Sequence, residues 1–176
     1  MKRVLLTTAL ILGMLATSNA QDSKTLTSPD GKISVSITAQ NGAPQYSVTY
    51  DGKTIVAPSA LGVQTNIGDF TSGMSLDKAS AVSDINETYS LPNIKQSNVN
   101  YTAKALTVDF TKGDNRMAVE FRVSNRDVAF RYVIYDTRQT KVCVINGEAT
   151  AFNLPDATTT FLCPQSKPMG GFARTS

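Results

Sequence analysis

The chain has 176 residues with seventeen Lys and Arg against fourteen Asp and Glu, a formal net charge of +3, and neither histidine nor tryptophan. Without histidine, the standard Ser-His and Cys-His catalytic arrangements and the commonest metal ligand are excluded. The basic residues form no cluster, so we expect no nucleic-acid partner, and the absence of Trp weakens the case for a flat sugar-stacking platform.

The first twenty residues have the pattern of a cleavable signal peptide. Lys2 and Arg3 precede an apolar run over residues 4–15, and the small residues at 18–20 suit signal peptidase. The run is too short for a membrane span, which needs about 20 residues, although an uncleaved anchor remains the alternative. We therefore expect a periplasmic protein, no membrane partner after cleavage, and one domain over residues 21–176.

The first half of the mature chain alternates with period two, as half-buried strands do. Ile33, Val35 and Ile37 share one predicted face, after a turn at Ser28-Pro29-Asp30-Gly31 in which Gly31 takes the left-handed conformation. Turns at Asn41-Gly42 and Asp51-Gly52 bracket a strand in which Tyr46, Val48 and Tyr50 alternate, and a further strand follows at 54–57. This spacing predicts an antiparallel meander.

The second half repeats the pattern. Strands are predicted at 105–110, 117–123 and 128–134, with turns at 112–115 and 125–127; Glu120 and Arg122 face outward from the middle strand. Odd and even positions are both apolar over 132–135, which is typical of a strand covered on both faces. Residues 142–145 and 149–152, joined by Asn146-Gly147, predict one more hairpin.

Residues 65–100 are polar and less periodic. One or two irregular strands are the favoured interpretation, and an exposed functional loop or a poorly ordered segment is the alternative. No segment shows a helical apolar stripe, so the predicted class is all-β, with the strands packed as a sandwich.

Carboxylates are the potential catalytic groups that this sequence contains in number, but none of them lies in a recognisable catalytic or metal-binding motif. Glu120 and Asp127 flank a predicted hairpin and could share a sheet face, but solvated outward charges are the favoured interpretation. Asp109 and Asp114 bracket one turn, and Asp30 and Asp51 are turn residues beside glycine, so a structural role is favoured for them over a ligating one. We assign no catalytic, cofactor-binding or metal-binding residue.

The sequence leaves open whether the two cysteines form a disulfide or are separate apolar side chains. Cys143 and Cys163 lie in a compartment that permits disulfides, yet each sits in an apolar, strand-like sequence where Cys is simply a small hydrophobic residue. Without a histidine partner, Cys163 is more readily a buried thiol at the end of a strand than a nucleophile.

Three segments in order resemble the N-terminal domain of glycoside hydrolase family 97: LTSPDGKISVSI (26–37), PQYSVTYDGKTIVAPSALGV (44–63) and GEATAFNLPDATTTF (147–161). The family comprises periplasmic exo-acting α-glycosidases, some inverting α-glucosidases and some retaining α-galactosidases. The resemblance implies an antiparallel β-super-sandwich of the galactose mutarotase-like type, followed in the parent enzyme by a (β/α)₈ catalytic barrel and a small β-domain.

The resemblance assigns the family's catalytic carboxylates and nearly all its calcium ligands to the barrel, which would begin after Ser176. Its N-terminal domain lends an acidic residue from an E-x-D-L-x-x-Y-P segment that has no match here. Glu148 is therefore not assigned to calcium, and we expect no cofactor in this chain. Because the family's super-sandwich is longer, residues 21–176 are expected to form an incomplete one, with unpaired edges and marginal stability.

The function implied is a non-catalytic portion of an α-glycosidase that packs on the barrel, helps shape its carbohydrate pocket and contacts oligosaccharide, with no activity alone. The alternative is a self-contained secreted β-sandwich that binds partners through exposed Tyr and the polar middle segment. A free-standing enzyme using carboxylates alone is disfavoured, because no paired-acid motif is visible.

Overall fold

The computed structural model describes residues 22–92, 95, 97–135 and 142–160, and in these residues every regular element is a β-strand. In chain order the strands are β1 (Ser23–Thr27), β2 (Ile33–Gln40), β3 (Ala43–Tyr50), β4 (Lys53–Ala60), β5 (Val63–Thr65), β6 (Gly68–Asp69), β7 (Ser75–Ala79), β8 (Ser83–Ser90), β9 (Asn98–Lys112), β10 (Asn115–Ser124), β11 (Val128–Ile134) and β12 (Ile145–Glu148). The described part of the chain has no helix able to cross a bilayer. The predicted signal peptide and Cys163 lie outside the described residues.

The first sheet is the predicted meander, with order β1-β2-β3-β4 and antiparallel pairing throughout. Its hairpins turn at Asn41-Gly42 and Asp51-Gly52, where all four residues have positive φ, between 45° and 78°. Such turns match the twist of the flanking strands, and Asn, Asp and Gly tolerate this conformation best. The prediction for this half of the chain is confirmed, including Gly31 at φ 75°.

The second sheet has order β11-β10-β9-β7, and β8 pairs with the first half of β9 beside β7. The predicted strand at 105–110 is thus the end of a 15-residue strand. The polar segment 65–100 contains β7 and β8, which confirms strands there, and β8 is regular rather than irregular. Residues 132–135 are half-buried on both parities, as expected of a strand covered in part on each face.

The core lies between the two sheets. Strands β1 and β2 contact β9 and β10, and the predicted inward residues of β2 and β10 are at most 5% exposed. The core cluster comprises Leu26, Ile33, Val35, Ile37, Tyr46, Val48, Leu61, Val63, Phe70, Met74, Leu106, Val108, Phe110, Met117, Val119, Phe121 and Val123. Burial of this contiguous apolar surface is the main stabilising term. Tyr50 departs from the prediction: at the end of β3, beside the turn, it is 42% exposed.

The predicted hairpin at 142–152 is wrong. Asn146 and Gly147 lie inside β12, which pairs with β5 through a bulge instead of folding back on 149–152. Beyond β12 the chain runs along β4: Ala149 N donates to Gly62 O, Ala151 N to Ala60 O, and Ala57 N to Asn153 O, at 2.8–3.0 Å. Pairing with β5 and β4 satisfies backbone groups that would otherwise stay open at a sheet edge.

Part of the second sheet projects beyond the rest. Strand β10 ends at Ser124, opposite Ala103, so residues 98–102 of β9 are flanked only by residues 86–90 of β8. We call this two-stranded ribbon the arm. Its hydrogen-bonded side-chain pairs are Thr88–Asn100 and Ser90–Asn98. The arm therefore offers one strand edge without a described neighbour.

Candidate functional site

The carboxylates singled out in the sequence are structural. Asp30 accepts hydrogen bonds from Ser28 Oγ at 2.6 Å and Lys32 N at 3.1 Å, and the Ser28 bond chiefly lowers the pKa of Asp30. Asp51 is a left-handed turn residue. Both predictions of a turn role are confirmed.

Glu120 and Asp127 do not form a catalytic pair. Glu120 pairs with Arg131 across β10 and β11, whereas Asp127 accepts from Ser124 Oγ at 2.7 Å in the following turn. The two carboxylates thus bind different partners within the same β10–β11 hairpin. The interpretation of these two acids as surface charges is confirmed.

Asp109 is more than the turn residue predicted. It lies in β9, 6% exposed, and its two carboxylate oxygens accept from Arg116 Nε at 3.2 Å and Nη2 at 2.8 Å. The Arg116 guanidinium also lies 4.1 Å above the Tyr135 ring, and burial, then the Asp109 charge, raises the pKa of Tyr135. A bidentate pair of this kind adds geometric specificity to the pairing of β9 with β10, so we assign Asp109 and Arg116 a structural role.

The described residues contain no group of three or more His, Cys, Asp or Glu side chains close enough to hold a metal ion. Glu148 is exposed, and its Oε1 accepts from Thr150 Oγ1 at 2.6 Å. A hard cation such as calcium takes six to eight oxygen ligands. The resemblance places nearly all of these ligands in the barrel of the parent family, so calcium stays an expectation for the parent enzyme and is not assigned to this chain.

The most distinctive surface is a set of large apolar side chains near the end of the described chain. We call it the apolar strip: Val142 (62% exposed), Val144 (49%), Ile145 (65%), Phe152 (65%) and Leu154 (43%). Scattered exposed apolar residues are ordinary, but five within thirteen positions of one segment indicate a surface that another structure covers.

Backbone and side-chain hydrogen bonds hold the apolar strip in place. Asn66 clamps its start, since Asn66 Oδ1 accepts from Val144 N at 2.8 Å and Asn66 Nδ2 donates to Val142 O at 3.2 Å. At the other end, Asn153 N donates to Ser59 Oγ at 2.9 Å and Asn153 Nδ2 to Pro58 O at 2.6 Å. The strip segment is thus fixed at one end against Asn66, which follows β5, and at the other end against β4.

A hydroxyl network joins the segment that bears the strip to β11. Gly62 N donates to Tyr132 Oη at 3.0 Å, and Tyr132 Oη lies 2.6 Å from Thr150 Oγ1, which donates to Glu148. Burial raises the pKa of Tyr132, so its hydroxyl stays protonated. The network links β11 to the strip segment and ends in the exposed Glu148 carboxylate.

The apolar strip continues into an open aromatic cluster. The Phe152 ring lies 6.4 Å from Tyr46 and 6.5 Å from Phe130, and Phe130 lies 5.4 Å from Phe121 in the core. Among the described strands β11 pairs only with β10, so this side of the sandwich is an open edge. Apolar surface and an unpaired strand edge thus lie side by side.

Cys143 occupies the strip segment, is exposed and precedes β12, which corrects the interpretation of its sequence as part of a strand. Since Cys163 lies outside the described residues, the structure does not choose between a disulfide and two separate thiols. The sequence located the apolar run but not its exposure, because a pattern of apolar residues cannot show which of them face a neighbour.

Comparisons with known proteins agree with the resemblance. The model of the family described as Glycosyl-hydrolase 97 N-terminal matches residues 26–174. A retaining alpha-galactosidase of Bacteroides thetaiotaomicron is 30% identical over 72% of this chain and 19% of its own length. A probable retaining alpha-galactosidase of Streptomyces bingchenggensis is 29% identical over 88% of this chain and 24% of its own.

Two solved structures share the fold. A beta-arabinopyranosidase superposes with a TM-score of 0.77 at 42% identity, over 84% of this chain and 24% of that enzyme. A glycoside hydrolase family 97 enzyme from Pseudoalteromonas, solved with panose, gives 0.70 at 26% identity, over 76% and 20%. The chain spans no more than 24% of the length of these relatives. The family match and the all-β sandwich together show that the chain belongs to glycoside hydrolase family 97, as the N-terminal domain of its enzymes.

Proposed function

We propose that this chain is the N-terminal β-sandwich portion of a periplasmic exo-acting α-glycosidase. In that enzyme it packs on the catalytic domain through the apolar strip, supplies no catalytic group, and helps to form the wall of the carbohydrate pocket. Periplasmic export rests on the signal-like first twenty residues, and the glycosidase on the names of the relatives.

The apolar strip is the observation that carries this proposal. Ile145 and Phe152 are each 65% exposed, although both belong to a segment held by backbone hydrogen bonds. Burying such a side chain contributes about 1.5–3 kcal/mol, so a domain seated on both would be held firmly. The relatives supply the occupant, since in each of them most of the chain lies outside the match.

Co-expression with a catalytic domain tests the packing. The chain is expressed together with the tagged catalytic portion of the beta-arabinopyranosidase, and we expect the two to co-purify. Replacing Ile145 and Phe152 by Ser should reduce recovery at least about tenfold, because each loses roughly 1 kcal/mol or more of apolar contact.

Tyr89→Ser is the matched control. Tyr89 is 44% exposed but lies on the arm, away from the apolar strip, so recovery should not change. An unmodified chain that is folded and monomeric yet never co-purifies would contradict the proposal and favour the self-contained binding module. Glycosidase activity of the chain alone on an aryl α-galactoside would contradict its non-catalytic role.

A further inference from the structure

A polar cleft lies where the arm passes the β10–β11 turn. Its volume is about 440 Å³, and its lining includes Asn100, Tyr101 and Thr102 from the arm and Asn125, Arg126 and Asp127 from the turn. Ligand sites in proteins occupy about 300–1,000 Å³. We call this cleft the notch; it shares no lining residue with the apolar strip.

The notch exists because β9 is longer than β10. The last pair between these strands is Ala103 with Ser124, and beyond it β9 continues for five residues with β8 on one side only. The backbone edge of residues 99–102 therefore faces the notch without a described partner strand. Open N–H and C=O groups on such an edge can bind a polar ligand.

The turn that forms the other wall is fixed in advance. Ser124 Oγ accepts from Arg126 N at 3.0 Å and Asp127 N at 3.1 Å, and donates to Asp127 Oδ2 at 2.7 Å. Asn125 Oδ1 also accepts from Asp30 N at 3.0 Å, which ties this turn to the SPDG turn of the first sheet. A wall held in this way loses little conformational entropy when it binds a ligand.

The side chains of the notch combine a ring with planar polar groups. Tyr101 is half-buried, and burial first, then the Asp127 charge, raises its pKa, so the phenol is neutral beside the carboxylate. Among the described residues no carboxylate lies within ion-pair distance of the Arg126 guanidinium. The Asp127 carboxylate accepts hydrogen bonds, and the Arg126 guanidinium and the Asn100 amide donate them. The Tyr101 ring offers an apolar face.

These groups select for one chemical class. A sugar ring has a C–H face that stacks on an aromatic ring, and its hydroxyls both donate and accept. The opposite charges of Arg126 and Asp127 offset each other, which disfavours phosphate or a cation. We propose that the notch binds a neutral pyranose unit, with Tyr101 against its C–H face and Asp127 and Arg126 on its hydroxyls. The inference rests on the proposed function only for the choice of sugars.

Saturation-transfer NMR on the purified chain tests the site, with methyl α-D-galactopyranoside and methyl β-L-arabinopyranoside as probes. We expect saturable binding with a Kd of about 1–10 mM, as suits a shallow site for one sugar unit. Tyr101→Ala should weaken binding at least about tenfold, and Tyr101→Phe by less than about threefold, because the ring face is retained. Arg126→Ala should weaken it by about threefold to tenfold.

Tyr50→Ala is the control, since Tyr50 is an exposed strand tyrosine that does not line the notch. The exposed Arg126 can be truncated without disturbing the core, so that variant decides the question even if Tyr101→Ala does not fold. Absence of saturable binding up to about 50 mM would overturn the proposal, as would equal binding by Arg126→Ala and the unmodified chain, or by Tyr101→Ala and Tyr101→Phe. None of these variants should alter co-purification with the catalytic domain, so the two proposals fail separately.

Discussion

Gly62 shows how one residue connects the two sheets and the strip segment. Its φ is +133°, its N–H donates to Tyr132, and its carbonyl accepts from Ala149. A Cβ at this position would lie 2.5 Å from the Phe70 carbonyl oxygen and 2.9 Å from Thr71 Cα. Because these are backbone atoms, no rotamer change could relieve the contact, and only glycine fits.

Gly62→Ala should therefore lower the free energy of unfolding by more than about 3 kcal/mol, from backbone strain and overpacking together. Gly113→Ala is the matched control: its φ is +58° but nothing lies within 4 Å of the added Cβ, so the loss should be about 1–2 kcal/mol. Urea unfolding of both variants measures the difference. Equal losses would mean that the Gly62 backbone can move away from Phe70.

At the scale of elements, the arm differs from the rest of the second sheet. Residues 108–110 of β9 lie between β10 and β7, and the stretch 106–110 buries Leu106, Val108 and Phe110 in the core. Residues 98–102 have β8 alone, and their side chains are exposed or half-buried. The arm half of β9 should therefore open locally more easily than the core half, because few apolar contacts oppose its opening.

Hydrogen exchange should separate the two halves of β9. Among amides bonded to a neighbouring strand, those at 98–102 should exchange at least about a hundredfold faster than those at 106–110. Exchange read by NMR at several pH values measures this ratio. Equal protection would show that another structure covers the arm in solution.

At the scale of the whole molecule, the tyrosines and aspartates whose pKa values are shifted titrate far from pH 7. Burial raises the pKa of Tyr46, Tyr101, Tyr132 and Tyr135 above the ordinary value of 10.0. A raised pKa contributes stability that is complete below pH 10.0 and is lost as the pH rises through the folded-state value. Hydrogen bonds lower the pKa of Asp30 and Asp69 below 3.8, so their contribution is complete above that pH and is lost as acid is added.

The midpoint of urea unfolding should consequently stay nearly constant between about pH 5 and 8, as no histidine titrates there, and fall above about pH 10. Tyr132→Phe should lose about 1 kcal/mol at pH 7, because its hydrogen bonds to Gly62 and Thr150 are removed. Its alkaline decline should be smaller than in the unmodified chain. A steep change between pH 5 and 8 would contradict this account.

Much of the fold could be predicted from the sequence because its signals are local. Gly31, Asn41-Gly42 and Asp51-Gly52 adopt the left-handed conformations that their residue types favour, and Ile33, Val35 and Ile37 alternate into the core. A turn depends on a few adjacent residues, and alternation follows from the pleat of any strand. These features also carried the resemblance to the family.

The candidate site could be predicted only in part. The apolar run at 142–145 was visible, but its pairing with β5 and its exposure were not, and the burial of Asp109 against Arg116 was missed. The notch depends on where β10 ends relative to β9, which no local pattern records.

The sequence by itself determined the all-β class, the hairpin turns, the inward faces of β2 and β10, and the family. Only the tertiary structure decided which edge strands meet, which apolar side chains stay exposed, and where the notch opens. The physical reason is the range of the interactions: backbone conformation and pleat are set within a few residues, whereas edge pairing, burial and clefts depend on segments up to about 100 positions apart, such as Asp30 and Asn125 at a separation of 95.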